Sequence, residues 1–292
     1  MQTKHEIERI LASAGTTPNK RLGQNFLIDL NLMRKLIAAA DVQSNDVVLE
    51  VCCGTGSFTE GLSEAAGFLV GVEYDHILGP IVQRNFKDVE NVKIINSDIL
   101  ENKNTLCTEA VESVKTAQAK LGGRILLVAN LPYNVAASIM ANLITGDQLT
   151  ADVMYVTVQK EVAERMAAAA GDKRYGILSI LMAATGNTEI IKILPASVFW
   201  PRPKVESAMV KFQRNPNKAA RIKDMHTFTE TVNLFMAHRR KMLKATTKLA
   251  EGKLAKINNW PEIFNKCKIN PKARPEKLTP DDYITLANTC CE

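Results

Sequence analysis

Four short apolar runs, each followed within three residues by glycine or a polar residue, constrain the fold of this chain most strongly. They are rich in β-branched and aliphatic residues, and helical patterns lie between them, which is typical of a buried sheet with crossover helices. The fourth run is followed by Asn130 and Pro132, and proline cannot donate to a strand ladder. The sequence therefore predicts an open α/β sheet. The runs are residues 47–51, 68–72, 92–96 and 125–129.

Three successive strand ends carry residues suited to a nucleotide-like cofactor. Ligands bind at the carboxyl ends of strands in open α/β sheets. After the first strand, the turn at residues 52–57 contains Gly54 and Gly56, which would let backbone approach a nucleotide closely. Glu73 ends the second strand, where an acid accepts from both ribose hydroxyls, and Asp98 follows the third, where it could accept from an adenine amino group.

The fourth strand end suits an exocyclic amine on a planar base. The side-chain oxygen of Asn130 and the carbonyl of Leu131, held by Pro132, could accept both hydrogens of an adenine amino group. The ring of Tyr133 could stack on the base. The alternative is an ordinary Asn-Pro turn with a packing tyrosine, and this stretch alone does not decide between the two.

A dinucleotide site for hydride transfer is the competing interpretation of the glycine-rich turn. The third glycine of the redox motif is missing, because Thr59 stands in its place. A dehydrogenase also needs a proton donor near its nicotinamide, whereas the fourth strand end offers neutral acceptors and a ring. Both observations disfavour a dehydrogenase.

Composition excludes some classes of protein. The chain has 292 residues, 46% hydrophobic and 23% charged, as expected for a globular protein. We find no run of eighteen apolar residues and no signal-peptide pattern, so we expect a cytoplasmic protein without membrane contact. The cysteines lack metal-ligand spacing, so we expect reduced thiols and no metal. They are Cys52, Cys53, Cys107, Cys267, Cys290 and Cys291.

Positive charge is concentrated in the last third of the chain. From Arg214 onwards, 16 lysines and arginines face 8 acidic residues, which gives a net charge of +8, whereas the rest of the chain carries −2. A basic module points to a polyanionic partner, although a lysine-rich solubilising surface would give the same bias.

Longer stretches of the chain resemble one family. They are similar to the small-subunit rRNA dimethyladenosine transferases, the kasugamycin-sensitivity enzymes and their eukaryotic and mitochondrial relatives. The resemblance covers nearly the whole chain. The stretches are residues 20–27, 50–56, 130–134, 159–165, 175–179, 199–208, 238–241 and 271–278, together with Glu73 and Asp98.

The resemblance implies a class I S-adenosylmethionine-dependent methyltransferase sheet of seven strands, followed by a small all-α domain. It implies a methyltransferase domain over residues 1–213 and a basic, helical RNA-binding domain over residues 222–292. The implied reaction is N6,N6-dimethylation of two adjacent adenosines in the 3′-terminal hairpin loop of 16S rRNA during ribosome biogenesis. The expected partner is the rRNA of the pre-30S particle, and nothing in the sequence requires more than a monomer.

The resemblance also assigns residues. Cofactor contacts would come from Asn25, Leu27, Cys52, Gly54, Glu73, Asp98 and Asn130; catalytic residues would be Asn130, Leu131, Pro132, Tyr133 and Phe199; and RNA contacts would come from Lys20, Arg21, Arg202, Lys204, Arg239, Arg240 and Lys241. Phe199 is a candidate for the second face of the target base but could equally be core. The family usually has glycine where this chain has Cys52, so the approach of backbone to cofactor could differ there.

Two alternatives remain open. The chain could be the related antibiotic-resistance methyltransferase that acts on large-subunit rRNA, although the long basic tail favours the small-subunit group. It could also be a ribosome-assembly or transcription factor that keeps the fold without catalysis, which the intact Glu73, Asp98, Asn130 and Tyr133 disfavour.

The patterns predict further elements beyond the first four strands. A strand is predicted at 152–158, and a final pair at 193–199 and 207–212. Residues 215–218 are predicted to be a linker. A long helical pattern over 227–249 is interrupted by cations at 238–241.

Overall fold

A seven-stranded sheet forms the centre of the larger part of the molecule. The structure is a computed structural model, and it describes residues 1–146 and 148–291. The strands in chain order are β1 Phe26–Leu27, β2 Val47–Val51, β3 Phe68–Glu73, β4 Val92–Asn96, β5 Leu100–Asn102, β6 Thr105–Leu106, β7 Ile125–Asn130, β8 Val153–Gln159, β9 Gly186–Leu194, β10 Phe199–Trp200 and β11 Ser207–Arg214.

Helices connect most of these strands. Side-chain caps mark several of their starts: Asp29 accepts from the N–H of Leu32, and Asp224 accepts from that of Thr227. The α-helices are α1 Lys4–Ser13, α2 Leu30–Ala40, α3 Ser57–Ser63, α4 Leu78–Asn85, α5 Thr108–Leu121, α6 Ala136–Thr145, α7 Lys160–Met166, α8 Ile177–Thr185, α9 Pro216–Ala219, α10 Met225–Ala237, α11 Leu243–Thr246, α12 Trp260–Lys266 and α13 Pro280–Cys290.

The strand order of the main sheet is β4-β3-β2-β7-β8-β11-β9. Five neighbouring strands, β4, β3, β2, β7 and β8, run parallel. The chain builds β3 and β4 on one side of β2, and then returns to place β7 on the other side. Ligands of open α/β sheets bind where the order reverses in this way. The switch point brings the carboxyl ends of β2 and β7 together, and the predicted α/β sheet is confirmed.

The predicted strand at 193–199 is wrong. Pro195 ends β9 at Leu194, and a short 3-10 helix, Ala196–Val198, follows. Phe199 and Trp200 then form β10, which pairs antiparallel with β1 outside the main sheet. The sequence misplaced β9 because it occupies the edge of the sheet and only its first and last residues, Gly186 and Leu194, are buried, so it lacks a continuous apolar run.

The chain divides into two compact units. The first comprises Met1–Ala163 and Glu189–Phe212, and the second comprises Glu164–Thr188 and Gln213–Glu292. Helix α8 therefore belongs to the second unit, where it packs against α10 and α13. The later boundary lies next to the predicted end of the first domain at residue 213, whereas residues 164–188, which the sequence assigns to the first domain, lie in the second unit. The predicted RNA-binding role of the second unit remains a prediction.

The second unit is helical, and its first long helix ends where the cations begin. Helix α10 stops at Ala237, residues 238–242 form a turn, and α11 starts at Leu243. The interruption predicted at 238–241 is therefore confirmed. The predicted linker at 215–218 is instead mostly the short helix α9, because the Asn215 side chain accepts from the N–H groups of Asn217 and Lys218 and so caps it.

Membrane-spanning helices and clusters of metal-ligating side chains are both absent from the described residues. None of the described helices combines the length and apolar character that a membrane crossing requires. Over the same residues, no group of three or more histidine, cysteine, aspartate or glutamate side chains is placed to hold a metal ion.

Candidate active site

A cavity of about 360 Å³ opens at the switch point of the first unit. Its walls come from the carboxyl ends of β2, β3 and β7 and from the loop that precedes β1. The cavity brings together most residues that the sequence assigned to cofactor and catalysis. The predicted residues on its walls are Arg21, Asn25, Leu27, Cys52, Gly54, Glu73, Asp98, Asn130, Leu131, Pro132 and Tyr133.

The turn after β2 is held in left-handed backbone conformations. Gly54 has φ +59° and Gly56 has φ +85°, values that glycine adopts without cost. Cys52 also lies in this region, at φ +63°, where a side chain is unfavourable. Its N–H donates to the carbonyl of Val72 at 2.8 Å, and this bond helps hold the unusual conformation. The turn therefore keeps its hydrogen bond to β3 with a cysteine at position 52, but the backbone of that cysteine is strained.

Phe26 covers the turn from the other side. A Cβ added at Gly54 would lie 3.0 Å from a ring carbon of Phe26, so only glycine fits there without movement of the ring. Phe26 also stacks on Trp200 across the β1–β10 pair, with ring centroids 6.2 Å apart. The small strand pair thus forms an aromatic wall above the glycine turn.

Glu73 joins the turn to the next strand end. One carboxylate oxygen accepts from the N–H of Gly54 at 2.7 Å, and the other accepts from the N–H of Asp75 at 2.8 Å. Each oxygen keeps one lone pair for another donor. Burial raises the pKa of Glu73, although these backbone hydrogen bonds act in the opposite direction. The carboxyl group is therefore fixed in place and can accept a pair of hydroxyls.

A second buried acid lies beneath the turn. Glu50 is 2% exposed, and its Oε2 atom has no hydrogen-bond partner among the described residues. Burial raises the pKa of Glu50 to about 8, and the negative charge of Glu73 adds to the effect. Because Glu50 also lines the cavity, a positively charged ligand group would favour its ionised form.

Replacing Glu50 with glutamine is expected to raise the free energy of unfolding of the cofactor-free protein at pH 9 by on the order of 2–4 kcal/mol. The pKa of Glu50 is about 8 in the folded state against 4.5 ordinarily, so the folded protein holds an extra proton between these values. Wild-type stability from this group therefore falls as pH rises from about 4.5 to 8 and stays low above that range. Glutamine does not ionise, so the stability of the variant does not depend on pH through this side chain.

Urea denaturation at pH 5 and at pH 9 measures this difference. We expect the Glu50→Gln variant to lose less stability between the two pH values than wild type does. Glu112→Gln on α5 replaces an exposed glutamate and should follow wild type. Equal losses for wild type and Glu50→Gln would show that Glu50 ionises normally.

The Asn130 amide is held at both ends. Its Nδ2 donates to the carbonyl of Asn25 at 2.9 Å, and its Oδ1 accepts from the hydroxyl of Thr157. Leu131 is 1% exposed, and its N–H donates to the carbonyl of Thr157 at 3.1 Å. Both residues proposed to accept from an amine are therefore fixed by neighbouring backbone and by Thr157.

Tyr133 closes the same side of the cavity. Its hydroxyl forms a hydrogen bond with the Ser207 hydroxyl at 2.8 Å, which fixes the ring on the wall. Burial raises the pKa of the Tyr133 phenol, so it stays neutral at physiological pH. Asp98 also lines the cavity and is exposed, and its Oδ1 accepts from the N–H of Leu100 at 2.9 Å.

Several predicted residues lie elsewhere. Phe199 is 3% exposed and belongs to the hydrophobic core, which corresponds to the second of the two roles considered for it. Lys20, Arg202, Lys204, Arg240 and Lys241 are exposed on the surface. Arg239 is half-buried and pairs with Glu276 at 3.1 Å within the second unit, and its predicted RNA contact remains a prediction.

Several residues on or near the cavity wall were not assigned from the sequence, among them Glu50, Phe26, Tyr74 and Thr157. Phe26 and Tyr74 line the cavity, and Tyr74 is 54% exposed directly after Glu73. The position of Tyr74 next to the predicted ribose acid is the signal that could have identified it. Thr157 gave no such signal, because its pairing with Asn130 depends on the register of β7 and β8.

Comparison with known proteins identifies the family. The model of the family described as "Ribosomal RNA adenine dimethylase" matches residues 15–291. The chain belongs to the ribosomal RNA adenine dimethylase family. This dimethylase is 35% identical over 281 residues to the ribosomal RNA small subunit methyltransferase A of Lactiplantibacillus plantarum, with 96% of this chain and 92% of the relative covered. The protein of that name from Shouchella clausii is 35% identical over 287 residues, with 98% and 94% covered.

Solved structures confirm the fold of the dimethylase. A dimethyladenosine transferase from Plasmodium falciparum matches with a TM-score of 0.65 and 22% identity, covering 89% of this chain and 95% of that one. The 23S rRNA methyltransferase ErmE matches with a TM-score of 0.59 and 18% identity, covering 92% and 100%. Both likenesses support the predicted class I methyltransferase sheet.

As a member of this family, the protein is an enzyme that uses S-adenosylmethionine to dimethylate adenine in ribosomal RNA. The cavity fits that cofactor. Glu50 offers a cation a buried oxygen that has no hydrogen-bond partner in the part of the chain that the structure describes. The Gly54 turn leaves no room for a side chain, and the fixed Glu73 carboxylate can accept from a diol.

Proposed function

We propose that this dimethylase converts two adjacent adenosines in the 3′-terminal hairpin loop of small-subunit rRNA to N6,N6-dimethyladenosine. It acts as a cytoplasmic monomer on the rRNA of the pre-30S particle. Support for the small subunit comes from the curated relatives at 35% identity, which are named small subunit methyltransferases. The observation that carries the chemistry is the fixed Asn130–Tyr133 turn beside the Glu73 turn in one cavity.

Within this proposal, the cavity divides between cofactor and target base. Glu73 accepts the ribose hydroxyls of S-adenosylmethionine, and Asp98 accepts from its adenine amino group. Asn25, Leu27, Cys52 and Gly54 line the cavity and would hold the methionine part. The bound cofactor supplies an electrophilic methyl group on a sulfonium.

The adenine amino nitrogen is a poor nucleophile because its lone pair is delocalised into the ring. Asn130 Oδ1 and the Leu131 carbonyl accept its two hydrogens, which turns the lone pair out of the ring plane. Oδ1 already accepts from Thr157, so one lone pair remains for the amine. Pro132 keeps the Leu131 carbonyl in place, and Tyr133 stacks on a base turned out of its helix or loop. No strong base is needed, because attack on the methyl group makes the nitrogen cationic and its proton is then lost readily to solvent. Positioning of the amine supplies most of the effect.

The test is transfer of labelled methyl groups from S-adenosylmethionine to undermethylated small subunits, with large subunits and naked RNA in parallel, followed by nucleoside analysis. We expect dimethyladenosine in the small subunit alone. Labelled methyl groups in the large subunit would instead indicate that the protein is one of the related antibiotic-resistance methyltransferases. Absence of label from all particles, with cofactor still bound, would favour a binding factor.

Exposed cations are proposed to position the RNA through its phosphates. We expect the double variant Arg240→Ala, Lys241→Ala to weaken RNA binding by about tenfold at 150 mM salt and to lower the slope of log affinity against log salt by about 1.4–1.8. Both side chains are exposed. Filter binding or fluorescence anisotropy across salt concentrations measures the effect.

The matched control removes two exposed lysines from α5, Lys115→Ala and Lys120→Ala, which changes the net charge equally. This control should bind RNA with nearly the wild-type slope. Arg239→Ala should instead lower thermal stability, because it removes the pair with Glu276. Equal salt slopes for the Arg240–Lys241 variant and wild type would remove these two residues from the RNA-binding surface.

A further inference from the structure

Thr157 contacts both residues that the proposed function assigns to the target amine. It lies near the end of β8, opposite Asn130 in the register of β7 and β8, and is 1% exposed. Its hydroxyl donates to Asn130 Oδ1, and its carbonyl accepts from the N–H of Leu131 at 3.1 Å. One buried residue on the neighbouring strand is thus bonded to both acceptors.

The hydrogen bonds define which end of the Asn130 amide faces which neighbour. The carbonyl of Asn25 can only accept, so the nitrogen of the amide must face it. The oxygen then faces Thr157, whose hydroxyl is free to donate. These two partners together hold the amide oxygen in one place and leave one of its lone pairs available.

The two partners differ in how firmly they are held. Thr157 is buried inside a strand of the main sheet, whereas Asn25 is half-buried in the loop that precedes β1. Asn25 is itself held by a bond from its side chain to the carbonyl of Gly23 at 2.9 Å. The hydrogen bond from Thr157 therefore fixes the position of the Asn130 amide oxygen more firmly than the bond from the amide to Asn25 does.

We infer that Thr157 is a positioning residue for methyl transfer: its hydroxyl sets the orientation of the Asn130 amide, and its carbonyl sets the Leu131 turn. This inference rests on the proposed function, because Asn130 is the amine acceptor there. Thr157 acts through Asn130 and touches neither cofactor nor base. In a Thr157→Val variant, a methyl group would replace the hydroxyl beside the Asn130 amide oxygen. The amide would then keep only its hydrogen bond to the Asn25 carbonyl among these two partners.

The experiment compares Thr157→Val, which keeps the shape but removes the hydroxyl, with Thr157→Ser, which keeps the hydroxyl. Under single-turnover conditions with saturating cofactor and undermethylated small subunits, we expect the methyl-transfer rate to fall about tenfold in Thr157→Val. Thr157→Ser should restore the rate to within about twofold of wild type, and the Kd for S-adenosylmethionine should stay within about twofold in both variants.

Thr185→Val is the matched control. It removes a buried hydroxyl that donates to the Leu181 carbonyl in the second unit, and it should transfer methyl groups at the wild-type rate. Equal rates for Thr157→Val and wild type would overturn the inference, as would equal losses in Thr157→Val and Thr157→Ser. Melting temperatures measured alongside identify a rate loss that comes from unfolding.

A measurement without turnover separates this inference from the proposed function. The side-chain NH₂ signals of Asn130 can be assigned in a ¹⁵N correlation spectrum by their disappearance in Asn130→Asp. We expect them to be sharp in wild type and Thr157→Ser, and shifted and broadened in Thr157→Val. Unchanged signals in Thr157→Val would overturn the positioning role, whether or not wild type methylates small subunits. A wild type that transfers no methyl group would overturn only the proposed function.

Discussion

Replacing Asn130 with alanine is expected to lower the rate of methyl transfer by about 10²–10³-fold while the Kd for S-adenosylmethionine changes by no more than about fivefold. The reason is that alanine removes one of the two acceptors proposed to hold the target amine. The other acceptor, the Leu131 carbonyl, stays in place because its strand pairing through the N–H of Leu131 does not depend on the Asn130 side chain.

Single-turnover transfer to undermethylated small subunits, together with calorimetric titration of the cofactor, separates the two effects. Alanine also removes the bond to the Asn25 carbonyl, so a small loss of cofactor affinity is expected from a looser loop. Asn85→Ala, at an exposed position on α4, is the control and should behave as wild type. A turnover rate within a few-fold of wild type for Asn130→Ala would show that Asn130 does not hold the amine.

The second large effect is expected at Glu73. We expect Glu73→Ala to weaken S-adenosylmethionine binding by about 10²-fold or more, because hydrogen bonds to a charged acceptor contribute about 1.5–3 kcal/mol each. Alanine also leaves the N–H groups of Gly54 and Asp75 without their acceptor, so the turn itself should loosen.

Titration of the cofactor and of S-adenosylhomocysteine measures this loss at fixed pH. The exposed Asp88 provides a control, since Asp88→Ala removes an acid of the same unit that forms a surface pair with Lys87. Glu73→Gln keeps one acceptor oxygen but presents an NH₂ group to one backbone N–H, so it should bind more weakly than wild type as well. Cofactor affinity within threefold of wild type in Glu73→Ala would assign the ribose to another residue.

The sequence predicted the central strands well because they are buried on both faces. Each of β2, β3 and β7 is a continuous apolar run, and such runs are detected without knowledge of their neighbours. Strand β9 was misplaced because an edge strand needs no such run. The role of α8 could not be predicted either: seven of its nine residues are buried, but an apolar helix does not specify which core it joins.

The candidate site was predictable to the extent that its residues follow strand ends. Gly54, Glu73 and Asn130 were found in this way, since parallel strands place their carboxyl ends at one edge of the sheet. Phe199 was ambiguous because an aromatic residue at a strand end suits both a cavity wall and a core. Thr157 depends on strand register, and its importance appears only when two hydrogen bonds join it to the turn after β7.

The second unit is built from two separate stretches of the chain, so a single cut cannot remove it as an intact domain. Residues 164–188 contribute α8 to the core that α10 and α13 complete, although the rest of the unit begins only at residue 213. A protein cut near residue 213 would keep α8 but expose the apolar surface that those helices cover. A transplant of this unit into a relative would therefore have to carry both segments together.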